Sequence, residues 1–288
     1  MAPDEVKVGQ WSLQKEVETR ILETDDGCMM YSVAPPSLFL AHGSPMLALD
    51  GGDWGRAISA FGQRLPPLRA ILVCSAHWEA PGPFQLSSAE IPGVMHDFGG
   101  FPAELYALDY PAPGCPELAK EAAALLGGAS LEAVLDPKRP LDHGVWVPLR
   151  YLMPEASIPV VQLSLPLHRT PELLLAAGRA LAPLRESGVL ILGSGGIVHN
   201  LRLLDWGGTS GPASWSLGFE RWIRQRLAAG DVEALADWRQ APGSAESVPT
   251  TEHLDPLFVA LGAAGGPPEP LFDGWQLGSL SLSSYVFP

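Results

Sequence analysis

The chain has 288 residues, 47% of them hydrophobic and 17% charged, a balance that supports a sizeable packed core and excludes a disordered chain. Its formal net charge of −14 at pH 7 excludes the basic footprint that nucleic-acid phosphates demand, and it argues equally against anionic membrane surfaces. A small or neutral partner fits that charge.

Residues 1–34 are more polar than the remainder of the chain and carry no motif, so they are read as an N-terminal extension, with one catalytic domain over 35–288. Acidic, basic and amide residues occur throughout Met1 to Glu23, a pattern expected of neither a signal peptide nor an anchor. No run reaches the roughly 18 apolar residues of a membrane span. Cys28, Cys74 and Cys115 are odd in number and widely spaced, which points to a reducing, cytoplasmic setting, and Cys74 reads as a buried hydrophobe. From Ser37 onward apolar runs alternate with helical patterns. Ser37–Ala41 and Arg69–Ser75 are predicted strands, with a helix over Trp54–Arg64 between them. Pro116–Leu126 starts with a first-turn proline and is followed by Gly127-Gly128, the signature of a complete helix. A strand over Ile158–Leu165 precedes a helix over Pro171–Arg185, N-capped by Thr170 and open to early termination at Pro183. Gly188–Leu192 is the fourth strand, followed by a turn at Gly193-Ser194-Gly195-Gly196, and helices over Trp215–Ala229 and Asp255–Gly262 complete the set. Continuous apolar strands alternating with helices predict an α/β domain: a central, largely parallel or mixed sheet flanked by helices, its active site at the strand C-terminal ends.

The chemistry gathers on histidines. His42 follows the first strand in Leu-Ala-His-Gly-Ser-Pro, and His77 follows the second in Ser-Ala-His-Trp-Glu. His199 comes after the glycine-rich turn, in Gly-Ser-Gly-Gly-Ile-Val-His-Asn-Leu. Imidazole is the commonest neutral metal ligand, and strand ends are where an α/β sheet brings distant segments together. His143 lies in Leu-Asp-His-Gly-Val-Trp-Val-Pro-Leu beside Asp142, although neighbours in an extended segment point opposite ways. His253 follows Glu252 in Thr-Glu-His-Leu-Asp-Pro-Leu, and His96 opens His-Asp-Phe-Gly-Gly-Phe-Pro. Each has an ordinary alternative: a turn cap for His42, a half-buried histidine stacked on Trp78 for His77, a loop or N-cap residue for His143. His168 has the weakest context and reads as surface. No HExxH, CxxC or G-x-S-x-G pattern occurs, and the glycine-rich turn lacks the lysine of a P-loop.

Taken in order, His-Gly-Ser-Pro, Ser-Ala-His-Trp, His-Asp-Phe-x-Gly-Phe-Pro, Asp-His-Gly-x-Trp-x-Pro-Leu, Gly-Ser-Gly-x-x-x-His-Asn-Leu and Glu-His-Leu-x-Pro-Leu resemble the class III, LigB-type extradiol ring-cleavage dioxygenases, in their DOPA-dioxygenase-like branch. The resemblance runs from about Ser37 to the C-terminus. It implies His42, His77 and His253 as metal ligands, and His199 as the acid–base residue or a fourth ligand when zinc is bound. It implies His143 as a partner of the substrate hydroxyl, and His96 and Phe98 as the substrate cleft. The expected cofactor is Fe(II), with zinc as the other candidate metal. The expected partners are a small catecholic substrate and O₂, with no nucleic acid and no membrane.

Two departures from the family pattern stand out. His253 occupies the place where more distant members present a glutamate, with Glu252 turned aside. Gly99 stands where tyrosine is common in relatives, removing an aromatic group from the expected pocket wall. Two other functions fit the same residues: a zinc hydrolase using Glu252 or Glu79 as base, and a Memo-like binding protein without catalysis.

Overall fold

The computed structural model describes residues 21–23, 29–31, 33–207 and 211–288. In chain order, β1 (Ile21–Glu23) and β2 (Met29–Tyr31) form a small hairpin, and the rest of the 1–34 extension lies largely outside the described residues. Then come β3 (Ser37–Ala41), α1 (Gly52–Gly62), β4 (Ala70–Ala80), β5 (Phe84–Ser87), α2 (Ala103–Tyr106), α3 (Pro116–Gly128) and β6 (Ala133–Asp136). The second half holds α4 (His143–Leu152), β7 (Val160–Pro166), α5 (Pro171–Leu181), β8 (Val189–Gly195), α6 (Ser214–Ala229), α7 (Val232–Ala236), α8 (Ser244–Ser247) and α9 (Pro256–Gly262). It closes with β9 (Glu269–Phe272), β10 (Trp275–Gln276), β11 (Leu280–Ser281) and β12 (Ser284–Phe287).

Eight strands form one mixed sheet in the order β6-β5-β7-β4-β8-β3-β12-β9. Its centre is parallel, because β4 pairs with β7 and β8, and β8 pairs with β3, all in the same direction. The C-terminal strand β12 runs antiparallel to β3, with β9 antiparallel outside it. Both faces are covered. Phe39, Leu72, Cys74, Val189 and Ile191 pack toward α3, α5, α6 and α9. Leu38, Leu40, Ile71, Val73, Leu190 and Leu192 pack toward α1 and α4. That two-sided burial is why these strands read as unbroken apolar runs and not as alternating ones.

Thr170 caps α5 through its hydroxyl, which accepts from the Leu173 N–H at 3.3 Å. The helix stops at Leu181 and continues as a 3₁₀ turn over Ala182–Ser187, the early end that Pro183 predicts. Among the described residues no helix is long and apolar enough to cross a membrane.

Two predicted boundaries are corrected. The strand expected to end at Ser75 runs on to Ala80, so His77 lies inside it and not after it. The turn expected at Gly193–Gly196 is strand through Gly195, and β8 pairs with β3 along that whole length. Glycine is there for packing. A Cβ on Gly193 would collide with the Pro256 carbonyl oxygen, and one on Gly195 with the His253 carbonyl oxygen. The bare glycine face of β8 therefore lets the segment leading into α9 lie directly on the sheet, and the Gly196 N–H donates to the His253 carbonyl at 2.8 Å. Replacing Gly193 by alanine is expected to lower unfolding free energy by about 1–3 kcal/mol, the usual cost of overpacking, and the urea midpoint measures it.

Candidate active site

Five histidines meet at the C-terminal edge of the parallel strands. His42 is the residue after β3, with its N–H donated to the Gly195 carbonyl at 3.1 Å. His77 lies in the part of β4 that overshoots β8, where its register with β7 is interrupted. His143 is the first residue of α4, a helix that the Gly- and Pro-containing sequence did not announce. His199 lies four residues beyond β8, tied by its N–H to the Ser247 carbonyl at 2.9 Å. His253 sits just before α9, in a turn held by Arg169, whose guanidinium bonds Asp255 at 2.5 Å.

The rings are close. The centroid of His42 is 4.9 Å from that of His77 and 5.3 Å from that of His253, and His77 and His253 are 5.0 Å apart. His143 lies 4.0 Å from His77, and His199 stacks on His253 at 3.4 Å with 7° between planes. Ligand atoms of His42, His77 and His143 lie within 4.8 Å of one another, as do those of His199, Glu252 and His253.

Hydrogen bonding fixes which nitrogens face inward. Pro148 sits inside α4 and has no N–H, so the Gly144 carbonyl lacks its usual helical donor. The Ser194 hydroxyl donates to that carbonyl. A hydroxyl has one proton, so Ser194 meets His42 Nδ1, 3.0 Å away, as an acceptor. His42 therefore carries its proton on Nδ1, and Nε2 presents a lone pair. His253 reaches the same state differently. Its Nδ1 donates to Glu252 Oε1 at 3.1 Å, and its buried Nε2 has no protein partner. His77 Nε2 faces His42 Nε2 at 3.0 Å, while its Nδ1 lies 3.6 Å from Asp97 Oδ2. Anchored Nδ1 atoms with inward Nε2 atoms are the arrangement that orients metal-ligating histidines.

Electrostatics agree with that geometry. Burial, then the neighbouring imidazoles, hold the His42 pKa well below the ordinary histidine value, and the same causes act on His253. Burial lowers His77 to about 3 and His199 to about 4. Clustered imidazoles kept neutral leave nitrogen lone pairs available, and a nitrogen-rich, borderline-soft donor set suits Fe(II) or Zn(II) better than Mg²⁺ or Ca²⁺. The residues thus fit a transition metal. Asp97 behaves oppositely: burial pushes its carboxyl up, but hydrogen bonding to His143 outweighs this and holds it at about 2. It accepts the His143 backbone N–H at 2.9 Å, and its Oδ1 lies 3.0 Å from His143 Nδ1.

A cavity of about 270 Å³ opens over the cluster. His77, Asp97, His143 and His199 line it, whereas His42 and His253, only 1% and 5% exposed, lie behind them. The rest of the wall is mostly apolar, with Phe98, Phe101 and Trp206 as its aromatic members. The wall is therefore aromatic despite Gly99, which is exposed and lies outside the lining.

Of the residues singled out from sequence, the five clustered histidines come together and His168 stays exposed and apart. His96 is beside the cavity without lining it: its Nε2 meets the Leu108 carbonyl at 3.1 Å and its ring packs on Phe98 and Trp146. The next residue, Asp97, takes the cavity face. Sequence reasoning missed it, although alternation along an extended segment puts neighbours on opposite sides. Asp142 is likewise not the carboxylate beside the His143 ring. It is buried under the site on Ser75, Arg139 and Gln162, at 2.7, 2.8 and 2.8 Å. Glu79 and Glu252, the candidate hydrolytic bases, are paired with Arg169 at 2.7 Å and with His253 respectively.

Residues 36–288 match the family described as the catalytic LigB subunit of aromatic ring-opening dioxygenase. The chain is 40% identical over 263 residues to the 4,5-DOPA dioxygenase extradiol of Escherichia coli (strain K12), covering 89% of this chain and 96% of that one. It is 39% identical over 262 residues to the 4,5-DOPA dioxygenase extradiol of Beta vulgaris, covering 87% and 96%. The crystal structure of an uncharacterized protein from Escherichia coli K12 superposes with a TM-score of 0.77 at 36% identity, covering 88% of this chain and 100% of that one.

Ser194→Ala removes the acceptor for His42 Nδ1 and the donor to Gly144 at once. Metal affinity is expected to fall about 10- to 100-fold, the usual effect of losing a group that orients a ligand, as measured by competition with a chromophoric chelator.

Proposed function

The chain belongs to the LigB family of aromatic ring-opening dioxygenases and is an extradiol ring-opening enzyme, and from that premise we propose that it cleaves a catechol-type ring with O₂ at a metal held by His42, His77 and His253. The observation that carries the ligand set is the tautomer pattern: Nδ1 of His42 and of His253 is committed to an oxygen, leaving each Nε2 unprotonated and directed away from that anchor. His77 Nε2, 3.0 Å from His42 Nε2, supplies the third donor. The metal is Fe(II), because ring cleavage by O₂ requires a redox-active ion. Bound there, Fe(II) would supply open coordination positions for both catechol oxygens and for O₂. A zinc ion would suit the same donors, with His199 able to supply a fourth nitrogen.

The other steps belong to the side chains of the cavity. His199 is neutral and lines the cavity, so it accepts the proton of a catechol hydroxyl and later returns it to the product as the ring opens. His143 holds the second hydroxyl. Asp97 fixes the orientation of His143 by accepting its backbone N–H, with Oδ1 3.0 Å from the ring Nδ1. The apolar wall excludes bulk water, which strengthens these interactions. In the net reaction the carbon–carbon bond beside the diol breaks and both atoms of O₂ enter a ring-opened semialdehyde.

Protein reconstituted with Fe(II) is expected to consume O₂ in equimolar amounts with a catechol and to form a yellow product. Absence of both across a catechol panel overturns the reading. His199→Ala is expected to lower kcat by about 10²- to 10⁴-fold, the contribution of one positioned proton-transfer group, while iron content measured by mass spectrometry stays at the wild-type level.

A further inference from the structure

The wall of the cavity carries information about which catechols enter it. Among the described residues no lysine or arginine lines the cavity, and Asp97 is its one carboxylate. The basic residues nearby are turned elsewhere. Arg139 donates to the His77 carbonyl and to Asp142, and Arg169 is engaged with Glu79 and Asp255. Arg202 is exposed and outside the lining, although its neighbours Leu201 and Leu204 are part of it. A carboxylate carried into this cavity on a substrate would meet no cationic side chain among the described residues. Burying an uncompensated charge is costly.

The rim shows the opposite preference. Trp206 is 70% exposed and Leu201 55% exposed, both facing the cavity, with Phe98, Phe101, Leu277 and Leu280 continuing the apolar surface. Large apolar groups left open to water at the mouth of a site gain by being covered, at about 25 cal/mol per Å² buried. A contiguous patch of this kind marks a binding surface more often than scattered exposure does.

We propose that this site selects catechols bearing an uncharged apolar substituent, which lies against Trp206 and Leu201, and discriminates against catechols whose substituent ends in a carboxylate. The inference rests on the ring-opening function proposed above. It adds a substrate class that the histidine cluster alone does not define, since the cluster sees only the diol.

The test compares two substrates that differ at the end of the side chain, 4-propylcatechol and 3-(3,4-dihydroxyphenyl)propanoate, with iron-loaded full-length protein. The expected kcat/KM ratio favours 4-propylcatechol by about tenfold or more. Equal or better use of the acid overturns the proposal. In Trp206→Ala the ratio is expected to fall by about threefold or more, by loss of the apolar contact, and an unchanged ratio overturns the role given to this wall. Anaerobic calorimetry of both compounds separates the two readings. If neither ring opens, the proposed function fails, yet tighter binding of 4-propylcatechol still supports the selectivity, and equal or tighter binding of the acid contradicts it.

Discussion

The site depends on the close approach of one backbone to another: the segment holding His253 and Pro256 lying on the bare glycine face of β8. Gly193 and Gly195 leave the carbonyls of Pro256 and His253 the space that any Cβ would fill. That contact brings His253 under His199 and beside His42. β3 supplies His42, β4 supplies His77, and α4 supplies His143, each from a different part of the sequence. The parallel centre of the sheet points β3, β4 and β8 the same way, so the remaining requirement is that the chain before α9 descends onto that face.

A second dependence runs through the proline of α4. By lacking an N–H, Pro148 leaves a carbonyl that Ser194 satisfies, and this sets the proton position on His42. A helix defect thus fixes the tautomer of a proposed ligand two elements away. Glu252 does the same for His253 by direct contact. Neighbouring imidazoles and burial keep both rings neutral, which is the protonation state a metal requires. Local backbone chemistry and site chemistry are therefore one network, and a mutation at Ser194 or Gly195 acts on the site without touching a substrate.

Much of this was legible in the sequence, for identifiable reasons. β3, β7 and β8 are buried on both faces, so they appear as apolar runs, and α5 announces itself through Thr170 and Pro171. His42 and His77 stand out because histidine at the end of such a run has no packing role. α4 was hidden because Gly144 and Pro148 suppress a helical reading that tertiary packing restores. β12 was hidden because its serine-rich approach resembles a loop, although Tyr285, Val286 and Phe287 pair with β3. Asp97 escaped notice beside a histidine of more obvious interest, and Ser194 because the role of a hydroxyl is decided by partners distant in sequence. What the sequence pattern conveys is burial and local stereochemistry; the direction of a proton on an imidazole exists only once the fold has closed.

The central claim is that one transition metal is held by the inward Nε2 atoms of His42, His77 and His253. Anomalous diffraction at the iron edge, from crystals of Fe(II)-loaded protein, tests it most directly. The expected result is a single peak bonded to those three nitrogens, with His143 and Asp97 outside the coordination sphere. A peak bonded to His143 or Asp97, two separate peaks, or no peak among the histidines would contradict it.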